Sequence, residues 1–150
     1  MSDTMFDLQD CEVEELGHTS EIGLAARAPS LAALFRCLAL AMIALTGVRA
    51  NSGEVASPHA DSITNVELTA VDLPSLLVDW LNEVVYLFEV SGRVPAAIAV
   101  HAISSTAIAA TVYGRPAVGV PDLQIKAVTY HQLSIGPEQE YWKAEVFFDI

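Results

Sequence analysis

Two stretches of helical spacing, each opened by a capping signal and set among runs of alternating apolar residues, constrain this chain most. In the first, Leu31, Leu34, Phe35, Leu38, Met42 and Leu45 recur at helical spacing. Ser30 precedes them, and its hydroxyl can accept from a first-turn amide. Gly47 is the expected stop. In the second, Asp72 is the cap and Pro74 falls in the first turn, where its missing N–H does no harm. Leu77, Trp80, Leu81, Val84 and Phe88 form the stripe, Asp79, Asn82 and Glu83 face away, and Ser91-Gly92 ends it. Strand patterns cover Glu12 to Leu16, Glu21 to Ala28, Ser62 to Val71, Val94 to Ile103, Thr106 to Tyr113, Leu123 to Ile135 and Glu140 to Asp149. Gly114-Arg115-Pro116 reads as a turn that closes the fifth of these. The order predicts an α+β fold: antiparallel or mixed β-sheets packed with two amphipathic helices in a single-domain sandwich. Residues 1–11 read as a flexible acidic leader and residues 12–150 as the domain.

Charge narrows the function. Nineteen acids oppose seven bases, for a formal net charge of −12. A chain that neutralises phosphates needs a basic footprint, so direct nucleic-acid binding and an anionic membrane surface are disfavoured. A basic partner or bound cations fit better. The apolar stretch from Leu31 to Val48 carries Arg36 and reads as a core helix, not a membrane span. The acidic start lacks the basic and apolar segments of a secretory signal. Cys11 and Cys37, with no CxxC pair, read as reduced thiols, and the expected location is cytoplasmic.

The last two strands carry the candidate chemistry. Gly136-Pro137-Glu138-Gln139 reads as a hairpin turn. Setting Ile135 opposite Glu140 gathers Leu133, Thr129, Ala127, Ile125, Trp142, Val146 and Phe148 on one face, with His131 opposite Ala144 among them. The other face then ends in Lys126 opposite Asp149. An ordinary cross-strand ion pair, worth about 0.2–1 kcal/mol, is one reading of that pair. With the α-carboxylate expected at Ile150, a second anion would lie beside Asp149, which favours use by a cation or a partner.

Three segments together resemble the archease family. They are His18-Thr19-Ser20-Glu21-Ile22-Gly23, the helix from Leu76 to Glu83 followed by Tyr86-Leu87, and Ile125-Lys126-Ala127-Val128-Thr129-Tyr130-His131 with the final Asp149-Ile150. The resemblance runs from about Glu14 to Ile150. It implies an accessory protein, not itself an enzyme, that activates a GTP-dependent RNA-splicing ligase by promoting guanylylation and multiple turnover. It also implies a metal site at Glu21, Asp149 and Ile150, and a functional lysine at Lys126. The family has aspartate where this chain has Glu21. Oxygen ligands suit a hard divalent cation: calcium, with magnesium or manganese as alternatives.

Two other classes compete with that reading. One is a stand-alone metal-binding or chaperone-like module without a ligase partner. The other is a metal-dependent hydrolase using Glu21 and Asp149, although no general base or substrate clamp is legible. His18 and His131 read as hydrogen-bonded within the fold rather than as zinc ligands. Trp80 and Trp142 read as core.

Overall fold

The computed structural model describes residues 5–8 (backbone only), 10–17, 21–50 and 62–150. In chain order the elements are β1 (Met5–Leu8), β2 (Cys11–Gly17), β3 (Glu21–Ala28), α1 (Leu31–Leu45), β4 (Arg49–Ala50), β5 (Ser62–Thr69), α2 (Leu73–Ser91), β6 (Arg93–Ile103), β7 (Ala107–Val118), β8 (Ala127–Glu138) and β9 (Tyr141–Asp149). One sheet has the order β1-β2-β3-β9-β8. In the other, β7 pairs with β4, β5 and β6. Every described pairing is antiparallel. The predicted α+β class therefore holds.

Both helices pack against both sheets. Helix α1 touches β2, β3 and β9 of the first sheet and β6 of the second, while α2 touches β8, β5 and β6. A helix covered from two sides must be apolar over most of its circumference. Accordingly Leu34, Phe35, Cys37, Leu38, Ala39, Ala41, Met42 and Ile43 of α1 are all buried. In α2, Leu76, Leu77, Trp80, Leu81 and Val84 are fully buried. Such a core tolerates a polar atom only with a partner. The Trp80 indole N–H meets this condition by donating to the Phe35 carbonyl at 2.9 Å, which ties the helices together.

The caps form where the sequence places them. Ser30 Oγ accepts from Ala33 N at 3.1 Å. Asp72 Oδ1 accepts from Ser75 N at 2.9 Å. That backbone bond, and then the Ser75 side chain, hold the Asp72 carboxyl below the usual aspartate value. The charged cap is therefore at full strength above the unfolded-state pKa and is lost as pH falls through the folded one. Gly92 closes α2 in the left-handed region, at φ 70°.

Four expectations are corrected. Met5–Leu8, expected in a loose leader, forms β1 against β2, turning at Asp10 with φ 68°. Acidic composition hides a strand whose partner is its immediate neighbour.

Gly114-Arg115-Pro116 is no turn, because β7 runs through it to Val118. Strand β5 pairs with β7 only as far as Gly114, so among the described residues no β5 partner faces Pro116, the setting in which a strand proline is tolerated. A Cβ on Gly114 would lie 2.5 Å from Ser62 Oγ, so the glycine serves close strand approach.

Cys11 and Cys37 are joined as a disulfide, not reduced thiols, with 6.5 Å between their Cα atoms. Helix α1 packs on β2, and the inward Cys37 meets the β2 cysteine. A rule based on compartment cannot see that proximity.

The hairpin turn is Gln139-Glu140, shorter and later than expected, with Gln139 at φ 58°.

Two measurements check this packing. Trp80→Phe keeps the aromatic bulk but leaves the Phe35 carbonyl without its donor, and is expected to cost about 1–3 kcal/mol in urea unfolding. Thiol titration of the unreduced, denatured protein is expected to find no free cysteine, and two after reduction.

Candidate functional site

The pairing of β3 with β9 builds the site. It runs from Glu21 opposite Asp149 to Ala28 opposite Trp142. Ile22, Leu24, Ala26 and Ala28 turn toward the helices, so Glu21, Gly23, Ala25 and Arg27 lie on the outer face. Their partners Asp149, Phe147, Glu145 and Lys143 share that face. Phe147 lies over Gly23, where a Cβ would come within 2.6 Å of its ring.

Glu21 and Asp149 are thus directly opposed, with Cβ atoms about 5 Å apart by strand geometry. Two like charges so placed repel each other. The far end of the same face carries the mirror case, Arg27 opposite Lys143. There the repulsion is offset: Glu12 binds Arg27 at 2.8 Å, Glu138 lies 3.9 Å from Lys143, and Arg27 sits over the Tyr141 ring. At the acidic end His131 approaches Glu21, with Nε2 3.8 Å from Oε1.

The register of β8 differs from the expected one. Ala127, not Lys126, stands opposite Asp149, and Val128 stands opposite Phe148. Between Thr129 and Ser134 the strand advances five residues while β9 advances two, from Phe147 to Glu145. The resulting bulge has an odd number of extra residues and swaps the faces of β8 across it. This is why a single register drawn from the turn fails at the far end. Gln132, within the bulge, has φ 56°. His131, expected on the buried apolar face, is 62% exposed and lies on the bulge beside Glu21.

Lys126 immediately precedes β8, and its backbone N–H donates to the Asp149 carbonyl at 2.8 Å. Lys126 and Asp149 are therefore joined through the main chain rather than by the side-chain pair expected. Both are exposed, Ile150 is 44% exposed, and the Glu21 side chain is 22% exposed. His18 lies outside the described residues.

Asn82 was expected to face away, but its Oδ1 accepts from Val128 N at 3.0 Å and pins the start of β8 to α2. Its signal is positional: it lies four residues after Val78 and three before Val85, at the border of the buried stripe. His131 carried a signal too, as the last residue of the Lys126 to His131 run.

Glu21, Asp149 and Ile150 offer only oxygens, the donor chemistry of a hard cation. The opposed carboxylates fit such an ion, since a positive charge between them relieves the repulsion. Among the described residues no group of three His, Cys, Asp or Glu side chains is gathered tightly enough to hold a metal. An oxygen site here thus needs main-chain or water ligands beside the two carboxylates. A separate cavity of about 800 Å³ lies where α1 and α2 end, lined by Ile43, Val48, Phe88 and Leu123 among others. It reaches Ile125 but contains neither carboxylate.

Fold and site together define a small two-sheet module with an acidic sheet end. The Archease protein family (MTH1598/TM1083) matches residues 13–150, and the chain belongs to that family. Protein archease of Methanosarcina acetivorans is 37% identical over 149 residues, covering 95% of this chain and 98% of that one. The Pyrococcus abyssi archease is 30% identical over 145 residues, covering 91% and 97%. The solution structure of Methanobacterium thermoautotrophicum protein 1598 aligns with a TM-score of 0.66 at 22% identity, over 95% of this chain and all of that one. A Thermotoga maritima crystal structure, described as an archease and possible chaperone, aligns at 0.62 and 19% identity, over 90% and 94%. These last two likenesses concern the fold. Among the described residues no helix is long and apolar enough to cross a membrane.

Asn82→Ala removes the acceptor of a half-buried N–H. It is expected to destabilise by about 1–3 kcal/mol and to speed amide exchange at Val128 more than in β5, read by hydrogen-exchange NMR.

Proposed function

We propose that this protein is a non-enzymatic accessory factor that activates a GTP-dependent RNA-splicing ligase, promoting its guanylylation and multiple turnover. Family membership supports the reading, and the observation that carries it is the meeting of Glu21, Asp149 and Lys126 at one sheet end. Glu21 and Asp149, with oxygens of Ile150, would hold a divalent cation of the calcium, magnesium or manganese kind. The cation would supply positive charge at the tip that meets the partner. Glutamate in place of the family aspartate adds one methylene, which an ion of variable oxygen geometry such as calcium tolerates.

The chain's own residues do the rest. The −12 net charge steers the protein toward a basic ligase surface and away from bare RNA. Lys126, exposed and anchored by its own backbone bond to Asp149, would offer its ammonium at this sheet end to nucleotide phosphates at the ligase site. The proposed location is the cytoplasm, where such a ligase would work.

The test is ligation of 2′,3′-cyclic-phosphate and 5′-hydroxyl RNA ends by limiting ligase. Wild-type protein is expected to give many turnovers per ligase. Lys126→Ala and Asp149→Ala are each expected to cut that rate at least about tenfold, the scale of one lost charge-assisted contact. Full turnover with both variants would refute the mechanism.

A further inference from the structure

Both helices end at the same cavity, and both end beside charge of the wrong sign. The C-cap residues Thr46 of α1 and Gly92 of α2 line the cavity of about 800 Å³. A helix C-terminus carries roughly half a negative charge, which lysine, arginine or histidine ordinarily offsets. Neither last turn holds a basic residue. Instead Glu89 lies in the last turn of α2, and Asp122 stands at the end of α1. The Asp122 N–H donates to the Thr46 carbonyl at 2.7 Å. Its carboxylate lies so close to Gly47 that a Cβ there would collide with it. Gly47, at φ 84°, thus admits the carboxylate to the helix end.

The rest of the lining adds to this. Ile43, Val48, Val85, Phe88, Leu123 and Ile125 form an apolar wall. Among the described residues no lysine, arginine or histidine lines the cavity. Gln124 Nε2 donates to Glu89 Oε2 at 3.4 Å, which holds the carboxylate in place without neutralising it. The segment that runs along the rim, from Ala117 to Pro121, leaves Val118 and Val120 exposed. Two carboxylates and two helix ends therefore set a negative potential beside apolar surface, a placement that costs stability in the free protein.

We propose that this cavity docks a protein partner through a lysine or arginine flanked by apolar side chains. The apolar neighbours would cover Phe88, Leu123 and the exposed valines, while the cation meets Glu89, Asp122 and the two helix ends. A bare metal ion gains nothing from the apolar wall. An uncharged apolar group leaves the carboxylates unmatched, and a second copy of this chain brings its own net charge of −12. The cavity contains neither Glu21 nor Asp149, so the inference does not rest on a cation at that sheet end.

The probe is the peptide acetyl-Leu-Arg-Phe-Arg-Leu-amide, titrated into the full-length protein and followed by methyl and amide NMR. One control peptide has glutamine in place of both arginines, and the other has serine in place of the leucines and the phenylalanine. Saturable shifts are expected at the Ile43, Val48, Leu123 and Ile125 methyl groups. The arginine peptide is expected to bind at least about tenfold more tightly than either control. Glu89→Gln combined with Asp122→Asn is expected to weaken it at least about tenfold. The same variant is expected to melt no lower than wild type, since it removes like charge from both helix ends. Equal binding of the glutamine control would overturn the cationic occupant, and equal binding of the serine control would overturn the apolar one. Undiminished binding by the double variant, or shifts centred on Glu21 and Asp149, would mean general attraction between opposite charges and overturn the site. So would the absence of saturable shifts at millimolar peptide.

Discussion

The antiparallel pairing of β3 with β9 is the constraint on which the rest depends. It joins a strand near the start of the described chain to the last one, over eight consecutive residue pairs. One face of this ribbon, with Leu24, Ala26, Ala144, Val146 and Phe148, floors the core beneath α1. The other face, by strand alternation, must carry Glu21 beside Asp149 and Arg27 beside Lys143. A one-residue slip would send the carboxylates inward and the core residues out. The apolar contacts that hold the sheet together therefore also fix the geometry of the acidic end.

The helices transmit that order to β8. Because they lie between the sheets, their few polar contacts act as registration points. Trp80 fixes α2 against α1, and two residues further on Asn82 fixes β8 against α2. The Lys126 N–H then closes the corner onto Asp149. Among the described residues no buried side-chain nitrogen or oxygen lacks a partner, so the interior adds no competing demand.

Much of this was legible in the sequence because its signals are local. Caps at Ser30 and Asp72, the helix stripes and the alternation of β3 each depend on neighbours within a turn or a strand. The archease resemblance and the fold agree for the same reason: the motifs sit on elements that were readable. What failed was non-local. The disulfide needed the packing of α1 on β2, the continuation of β7 through Pro116 needed its pairing with β6 beyond the end of β5, and β1 needed a partner in β2. The bulge at residues 130–133 cost most, since its three extra residues, an odd number, moved His131 from the predicted core to the side of Glu21. The approach of Lys126 to Asp149 was found despite the wrong register, because one residue along a strand changes the partner but not the corner.

The two ends of the outer face pose the same electrostatic problem, and at the basic end Glu12 and Glu138 meet it. At the acidic end the proposed cation would meet it. Calorimetric titration of Ca²⁺ into wild-type protein, Glu21→Gln and Asp149→Asn tests this most directly. The account predicts one site in wild-type protein, weakened at least about tenfold in either variant, in keeping with the loss of one ligand charge. Equal Ca²⁺ binding by all three proteins would place the ion elsewhere and contradict the account.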